Sequence, residues 1–267
     1  MRSIQELMNL SGKTALITGG AGHIGKAVAD ALAEAGCSIA IADIDARSAE
    51  EVAMALKEKF QIKTAGYDVD LAEESQVREL PEKAVTDFGS LDILVNCAAF
   101  VGTSDLEGWV TPFKEQRTEA WRAAFEVNLT ACFALIQSAT PFLERTGHGS
   151  IINIASMYGC TGPDWRLYDD TQMGNPAAYA ASKGGLIQLT TWLATTLAPN
   201  IRVNAISPGG IWRNQPQRFV ERYEKKTPLG RMGIEEDMKG AALYFASDLS
   251  AYVTGQNLLV DGGWTAW

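Results

Sequence analysis

The sequence predicts an α/β fold: a single doubly wound sheet of seven mostly parallel strands, with helices on both faces. Three observations lead to this prediction. Seven short runs rich in Val, Ile, Ala and Leu recur along the 267 residues, amphipathic stretches separate them, and most of the runs are apolar throughout. Uninterrupted apolar runs are typical of parallel strands that are buried on both faces. Regular alternation of strand and helix is typical of one α/β domain.

The predicted elements alternate along the whole chain. Strands are predicted at Thr14–Thr18, Ser38–Ala42, Thr64–Val69, Leu91–Asn96, Ser150–Ala155, Ile201–Ser207 and Asn257–Asp261. Apolar residues at helical spacing predict helices between them; the first ends at Gly36, and the two longest patterns cover Trp121–Arg145 and Ala178–Leu197. Right-handed crossovers place every carboxyl end of the strands, and with them a ligand crevice, along one edge of the sheet.

The composition argues against several classes of protein. With 23 Lys and Arg against 32 Asp and Glu, the formal net charge of −9 disfavours nucleic-acid binding, because such a surface repels phosphates. No apolar stretch of ~18 residues could span a membrane. The first residues lack a secretory signal, so we expect a cytoplasmic protein. The scattered cysteines, Cys37, Cys97, Cys132 and Cys160, predict small buried thiols and no metal site.

Glycines cluster directly after the first predicted strand, in the run from Gly19 to Gly25. Such glycines let the backbone turn tightly and approach a pyrophosphate, whose charge then faces the N-terminus of the following helix. The alternative is a tight strand-to-helix turn that holds no ligand. Because a strand precedes the run and a helix follows it, we expect a dinucleotide-binding loop in a single Rossmann domain.

An acidic residue ends the second predicted strand. Asp43 lies 18 residues after Gly25, near the spacing of the carboxylate that hydrogen-bonds the adenosine ribose hydroxyls. A carboxylate there repels a 2′-phosphate, the glycine-rich run contains no Lys or Arg, and Ile44 follows. We therefore predict NAD rather than NADP as the cofactor. The alternative role for Asp43 is a helix N-cap or a solvated loop acid.

A tyrosine and a lysine lie four residues apart, at Tyr179 and Lys183, on a predicted helix. This spacing places both side chains on one face, about one turn apart. A phenol of pKa ~10 is a poor base at neutral pH. A neighbouring ammonium favours the phenolate, so we expect the pair to move a proton.

With these motifs in order, the chain resembles the single-domain branch of the short-chain dehydrogenase/reductase superfamily. The resemblance covers nearly the whole of residues 1–267, with residues 1–11 as an N-terminal extension. The matching pieces are Thr18–Gly25, Asp68 with Val69, Asn96–Ala99, Asn128, Ser156, Tyr179 with Lys183, Pro208 with Gly209, and Asp261–Gly263.

The resemblance implies a role for each matching residue. Tyr179 would be the general acid/base for an alcohol or carbonyl oxygen, and Lys183 would lower its pKa and bind the nicotinamide ribose. Ser156 would hold the substrate oxygen, and Asn128 would order a water in a proton relay. The cofactor would be contacted by Gly19, Gly22, His23, Ile24, Gly25, Asp43, Ile44, Asp68, Val69, Asn96, Ala98, Tyr179, Lys183, Pro208, Gly209 and Ile211.

The sequence departs from the family pattern in the motifs themselves. His23 replaces the middle glycine of the loop, and we expect its imidazole to project to solvent. Ala99 stands where the family usually has Gly. Arg213 stands near the place of a threonine that holds the carboxamide, so this contact would pass to the Ile211 backbone or to Asn214.

Two segments, 100–117 and 160–176, are longer than is usual in the family, and both follow strand carboxyl ends. Their aromatic, charged and amide residues suit a polyhydroxylated ligand; the alternative is subunit packing or a passive surface loop. Together with Asn175–Tyr179 and Ser207–Ile211, the longer loop also resembles a subgroup of bacterial carbohydrate and surface-glycan pathways. Arg166, Arg213 or Arg218 could serve a phosphate or carboxylate.

We predict an NAD-dependent oxidoreductase that acts on a secondary alcohol or ketone. The substrate would be small and polar, such as a sugar or sugar derivative. One alternative is a 3-oxoacyl or general ketone reductase; another, of a different class, is a non-catalytic dinucleotide-binding sensor. The resemblance also implies a homotetramer, assembled through the two long helical patterns and the C-terminal region. We expect the apolar tail with Trp264 and Trp267 to be buried.

Overall fold

The computed structural model describes residues 1–100 and 106–267, and one parallel sheet forms its framework. The strands are β1 Thr14–Thr18, β2 Ser38–Asp43, β3 Thr64–Asp68, β4 Ile93–Asn96, β5 Gly149–Ile154, β6 Ile201–Pro208 and β7 Asn257–Val260. They lie in the order β3-β2-β1-β4-β5-β6-β7. The predicted fold class is confirmed, and each predicted strand is present with its ends shifted by at most two residues.

Helices connect the strands on both faces of the sheet. The α-helices of the described residues are α1 Ile4–Met8, α2 His23–Glu34, α3 Ala46–Phe60, α4 Glu74–Phe88, α5 Thr118–Phe125, α6 Ala131–Thr146, α7 Ala177–Thr196, α8 Gln217–Lys226 and α9 Lys239–Ala246. Local chemistry sets several of their ends. The Asp45 carboxylate accepts a hydrogen bond from the Ser48 N–H at the start of α3, and Gly89, with φ +92°, ends α4.

The prediction of a single long helix over Trp121–Arg145 is wrong in one respect. A π-helical turn at Glu126–Thr130 separates α5 from α6. Such a turn contains an extra residue, and it shifts the side chains that follow it around the helix axis. No residue in this segment breaks the helical pattern, so the sequence periodicity did not reveal the turn.

The core has two layers because successive strand residues point to opposite faces of the sheet. In β1, Ile17 packs with Val28 of α2 in one buried cluster. Leu16 belongs to the cluster on the other face, with Leu80 of α4 and Leu135 of α6. This arrangement explains the uninterrupted apolar runs of the sequence.

Strand pairing brings the carboxyl ends to one edge. Thr18 of β1 is in register with Ala42 of β2 and Asn96 of β4, and Asp43 is in register with Asp68. The residues that follow these strands therefore meet along the edge where ligands bind in open α/β sheets.

Two expectations about side-chain burial need correction. Trp264 is buried as predicted, but Trp267 is 77% exposed and donates its indole N–H to the Lys226 carbonyl at 3.0 Å. Cys160 is exposed, whereas Cys37 and Cys132 are buried. Trp267 lies outside the cluster around Trp264, so the apolar core of one chain does not enclose it, and its burial at a subunit contact stays a prediction.

No helix in residues 1–100 and 106–267 is long and apolar enough to cross a membrane. In the same ranges, no group of three or more His, Cys, Asp or Glu side chains is placed to hold a metal ion.

Candidate active site

A cleft of about 1040 Å³ runs along the carboxyl edge of the sheet. The glycine-rich loop and Asp43 line one end of it, and Tyr179, Lys183 and Ser156 line its middle. The cleft therefore brings both halves of the predicted site, from opposite ends of the sequence, into one space. The enlarged segments contribute to its walls; Val101–Asp105 of the first segment lie outside the described residues.

Steric crowding explains the glycines of the loop. Gly19 has φ +62°, and a Cβ there would lie 2.6 Å from the Ala98 Cα. A Cβ on Gly25 would lie 2.1 Å from the Gly19 carbonyl oxygen. Only glycine permits this approach of loop, helix and neighbouring strand end.

The loop delivers the chain to the start of α2. Gly22 is the N-cap residue, and no side chain caps the helix there. Free N–H groups at a helix N-terminus are suited to a phosphate. Gly22 and Ile24 line the cleft at this point. The loop and the uncapped helix thus fit the pyrophosphate of a dinucleotide.

His23, which replaces the middle glycine of the loop, projects to solvent as expected. The His23 side chain is 67% exposed, and its Nδ1 lies 3.5 Å from a carboxylate oxygen of Glu235. The same oxygen lies 3.2 Å from the Arg213 Nε. Glu235 therefore links the glycine-rich loop to the segment after β6, across the mouth of the cleft.

Asp43 is positioned by the loop itself. Its carboxylate accepts a hydrogen bond from the Ala21 N–H at 3.0 Å and a second from the Asp45 N–H at 3.3 Å. Ile44 beside it is exposed and lines the cleft. Asp43 does not cap α3, because Asp45 does so. An acid held at this point fits the expected contact with ribose hydroxyls.

Two residues predicted to contact the cofactor are not on the cleft wall. Asp68 is exposed at the end of β3, and its neighbour Val69 lines the cleft instead. Asn96 is buried in the sheet, where its Nδ2 donates to the Asn153 Oδ1 at 2.8 Å. The hydrogen bond of Asn96 joins strands β4 and β5, and contact of Asp68 and Asn96 with the cofactor stays a prediction.

Helix α7 positions the predicted acid/base pair. Tyr179 and Lys183 are one turn apart, and both face the cleft. Lys183 is 2% exposed, and its ammonium donates to the Ile154 carbonyl at 2.8 Å. Gly159 lets the segment after β5 pack closely on α7, because a Cβ there would lie 2.8 Å from the Lys183 carbonyl carbon. Ser156 directly follows β5 and lines the cleft together with Tyr179.

The electrostatics of the pair involve groups beyond the pair itself. Burial raises the pKa of the Tyr179 phenol, while the hydrogen bond with Ser156 and the charge of Arg213 lower it. Burial lowers the pKa of Lys183, and its ammonium donates to a backbone carbonyl. The expected lowering of the Tyr179 pKa by Lys183 stays a prediction.

Asn128 lies in the π-helical turn and is fully buried. Its Oδ1 accepts the Phe100 N–H at 2.6 Å, and its Nδ2 donates to the Ser182 hydroxyl at 3.0 Å. These bonds join the turn to the strand end after β4 and to α7. The side chain does not line the cleft, so its part in a proton relay stays a prediction.

The segment after β6 closes the cleft on the side of Tyr179. Pro208, Gly209 and Ile211 line the cleft, as predicted, and the Gly210 N–H donates to the Tyr223 hydroxyl at 2.5 Å. Asn214 is not among the lining residues, which leaves the Ile211 backbone as the candidate partner for a carboxamide.

Aromatic and methionine side chains form the far end of the cleft, which we name the aromatic end. Its residues are Met157, Tyr158, Tyr168, Met173, Phe219, Tyr223 and Met232. None of them was named individually as a site residue, although Tyr168 and Met173 belong to the 160–176 segment that was expected to face the substrate. They come from three separate parts of the chain and belong to no local motif, so only their packing against each other assembles this wall.

The enlarged segment 160–176 is part of the aromatic end, but its charges are not. Arg166 pairs with Asp164, and Arg218 of α8 lies 3.5 Å from Asp170, all on the outer surface. Of the three candidate arginines, only Arg213 lines the cleft. The 160–176 segment therefore contributes apolar and amide groups to the site, and its ion pairs attach it to α8.

Comparison with known proteins places this site in a family. The family model described as Enoyl-(Acyl carrier protein) reductase matches residues 19–265. The 3-oxoacyl-(acyl-carrier-protein) reductase FabG of Thermotoga maritima is 35% identical over 265 residues, which cover 96% of this chain and 99% of that protein. The 2-dehydro-3-deoxy-D-gluconate 5-dehydrogenase of Dickeya dadantii is 35% identical over 272 residues, which cover 98% and 99%.

Solved structures agree over the same length. The NADPH-dependent 3-quinuclidinone reductase of Rhodotorula rubra has a TM-score of 0.88 at 30% identity, over 100% of this chain and 96% of that one. NAD+-bound xylitol dehydrogenase has a TM-score of 0.85 at 30% identity, over 95% and 99%. The chain belongs to the short-chain dehydrogenase/reductase superfamily, whose members bind a nicotinamide dinucleotide and act on alcohols and ketones.

Proposed function

We propose that this protein is an NAD(H)-dependent oxidoreductase that interconverts a secondary alcohol and a ketone, with Tyr179 as the general acid/base. The observation that carries the proposal is the shared cleft: the half-buried Tyr179 and the buried Ser156 and Lys183 lie in the same space as the glycine-rich loop and Asp43. A purely structural helix has no need for a buried lysine and a half-buried tyrosine beside an open cleft.

The chain's own residues supply the proton chemistry. Ser156 donates a hydrogen bond to the substrate oxygen and keeps it beside the Tyr179 hydroxyl. In oxidation Tyr179 takes the proton of the alcohol, and in reduction it returns a proton to the developing alkoxide. Lys183 keeps a positive charge in the site and donates toward Ile154 and the cofactor ribose. The nicotinamide, when bound, accepts or supplies the hydride.

NAD is the proposed cofactor because of the charge near the ribose. The Asp43 carboxylate, held by the Ala21 N–H, would repel a 2′-phosphate. The run Gly19–Gly25 contains no Lys or Arg side chain that could attract a 2′-phosphate. The related structures include one enzyme described as NADPH-dependent and one described as NAD+-bound. The proposal of NAD rather than NADP therefore rests on Asp43.

The proposed substrate is a small sugar or sugar derivative. Amide and hydroxyl groups of the cleft, from Asn175 and the tyrosines, could bind hydroxyls, and aromatic rings could stack on a ring face. The Dickeya dadantii relative acts on a sugar acid according to its name. A 3-oxoacyl or general ketone reductase is the second candidate, favoured by the three methionines at the aromatic end and by the name of the Thermotoga maritima relative.

We also propose a homotetramer. Trp121 of α5, Phe133 of α6 and Trp192 of α7 are all at least 41% exposed, which is costly for side chains of this size in an isolated chain. A monomeric mass by light scattering would contradict this proposal.

The test of the function is NADH formation or consumption at 340 nm with a panel of polyols, keto-sugars and simple ketones. Tyr179→Phe should lower kcat about 10³-fold, because the proton acceptor is lost. Its affinity for NADH, measured by fluorescence, should remain near that of the wild type. A wild-type protein that binds NADH but turns over nothing in the panel would support the sensor alternative instead.

A further inference from the structure

Within the cleft, one buried acceptor has no partner. The Asn175 side chain is 7% exposed and lines the cleft, and its Oδ1 accepts no hydrogen bond from any residue of 1–100 or 106–267. A buried carbonyl oxygen without a partner is energetically unfavourable, because it has lost its hydrogen bonds to water. Such a group in a ligand cleft indicates that the ligand supplies the missing donor.

Two phenols that share the cleft with Asn175 form a hydrogen-bonded pair. The hydroxyls of Tyr158 and Tyr168 are 2.7 Å apart and hydrogen-bonded to each other. Burial raises the pKa of both phenols, which keeps them protonated and able to donate. Neither phenol donates to the Asn175 Oδ1, so this oxygen stays available to a donor from a ligand.

The backbone that carries Asn175 is anchored. The Ala177 N–H donates to the Gln116 Oε1 at 3.1 Å, and a Cβ on Gly174 would lie 3.0 Å from Val110 Cγ1. The tyrosine rings are anchored as well: Tyr168 packs on Phe219, with ring centroids 5.4 Å apart. The acceptor is thus preorganised, which lowers the entropic cost of binding a ligand.

The hydroxyls of Tyr158 and Tyr168 and the amide oxygen of Asn175 form one polar group in the cleft, and their protons determine what it can bind. Of the two phenolic protons, one is used between Tyr158 and Tyr168, and the other is free to donate. The group therefore offers one acceptor, the Asn175 Oδ1, and one donor, a phenolic O–H. A hydroxyl matches both functions, since it donates and accepts. A carbonyl or an ether oxygen can only accept and would leave Oδ1 unpaired.

We propose that Asn175, with the Tyr158–Tyr168 pair, binds a second hydroxyl of the substrate, so that the enzyme prefers a compact diol or hydroxyketone over the matching mono-alcohol or ketone. The proposal rests on the proposed oxidoreductase function, since the first oxygen is the one held by Tyr179 and Ser156. Three methionines, Met157, Met173 and Met232, form much of the wall at this end of the cleft. Among sugar derivatives, one with few hydroxyls beyond these two therefore fits this end better than a fully hydroxylated one.

The experiment compares matched cyclic alcohols: cyclohexanol, 1,2-cyclohexanediol and 2-methoxycyclohexanol, each with NAD. The wild type should have a kcat/KM for the diol at least about tenfold above that for cyclohexanol, and the methoxy compound should lack this advantage. Asn175→Leu should remove the preference by lowering the diol value about tenfold or more while cyclohexanol is still oxidised. Tyr168→Phe, which keeps the ring, should weaken the same preference.

The control is Gln172→Leu, since Gln172 is an amide at the exposed rim of the same cleft. Its ratio of diol to mono-alcohol should equal that of the wild type. Binding is measured in the Tyr179→Phe background by NADH fluorescence, where the diol should bind more tightly than cyclohexanol and Asn175→Leu should abolish the difference.

The two proposals fail in different ways. Oxidation of both alcohols with equal kcat/KM, unchanged in Asn175→Leu, would overturn the role of Asn175 and leave the oxidoreductase function intact. Equal binding of both alcohols to the Tyr179→Phe protein would also overturn it, without any turnover. Absence of turnover in the wild type, with selective diol binding that depends on Asn175, would contradict the oxidoreductase function alone.

Discussion

The Asp43 carboxylate accepts a 3.0 Å hydrogen bond from the Ala21 N–H, so the acid at the end of β2 is attached to the glycine-rich loop. The bond fixes a negative charge beside the loop that fits the dinucleotide. It also means that a substitution at Asp43 changes both the charge and the support of the loop.

Asp43→Asn separates these effects, because the amide oxygen can still accept the Ala21 N–H while the charge is lost. We expect the ratio of kcat/KM for NAD to that for NADP to fall at least about tenfold, because the repulsion of a 2′-phosphate is removed. Steady-state kinetics with both cofactors measures the ratio. Asp45→Asn is the matched control, since Asp45 caps α3 and does not line the cleft. An unchanged ratio in Asp43→Asn would contradict the proposed basis of NAD preference.

Removal of the Arg213 charge tests the electrostatics of Tyr179. This charge lowers the pKa of the phenol, against burial, which raises it. In Arg213→Met the pKa of Tyr179 therefore rises. Because oxidation needs the phenolate form, its rate increases with pH through this pKa, and the rising limb of kcat/KM should shift to higher pH. Reduction, which needs the protonated phenol, should keep its activity to higher pH.

The control for this shift is Arg218→Met, because Arg218 lies on the outer surface near Asp170 and does not line the cleft. Its pH profile should match that of the wild type. A rising limb in Arg213→Met that stays in place, or moves to lower pH, would show that Arg213 does not act on the general base.

The cofactor end of the site could be largely predicted from the sequence because its residues occur in short local motifs. The run Gly19–Gly25 directly precedes a helix, and the spacing of Tyr179 and Lys183 alone places them on one helix face. The aromatic end could not be predicted. Tyr168 and Phe219 approach one another only because α8 packs against the 160–176 segment, and this tertiary contact has no local sequence pattern.

The fold was predictable for a related reason: buried parallel strands are apolar throughout, and this pattern needs no partner to be recognised. The π-helical turn at Glu126–Thr130 could not be predicted in this way, since its residues keep an ordinary helical composition. The hydrogen-bond partners of the Asn128 side chain could not be predicted either. Its hydrogen bonds to Phe100 and Ser182 depend on where the strand end and α7 lie in space.

Asn128→Ala should lower the free energy of unfolding by about 1–3 kcal/mol, because the part-buried Phe100 N–H loses its acceptor and a cavity replaces the fully buried amide. Urea denaturation followed by fluorescence measures the loss. Ser182→Ala, which removes only one hydroxyl from the same group, should cost less. A loss for Asn128→Ala no greater than that for Ser182→Ala would mean that the bond to Phe100 contributes little.

The two C-terminal tryptophans should differ sharply in their contribution to stability. Trp264 is 2% exposed, stacks on Tyr223 with ring centroids 6.1 Å apart, and lies under the Lys226 ammonium at 3.9 Å. Trp264→Ala should therefore cost about 3–5 kcal/mol, as expected for a large aromatic side chain removed from a core. Trp267→Ala removes a largely exposed ring and should cost under about 1 kcal/mol in an isolated chain. Urea denaturation at several protein concentrations compares the two variants, and a cost for Trp267→Ala that rises with concentration would instead place Trp267 in a subunit contact.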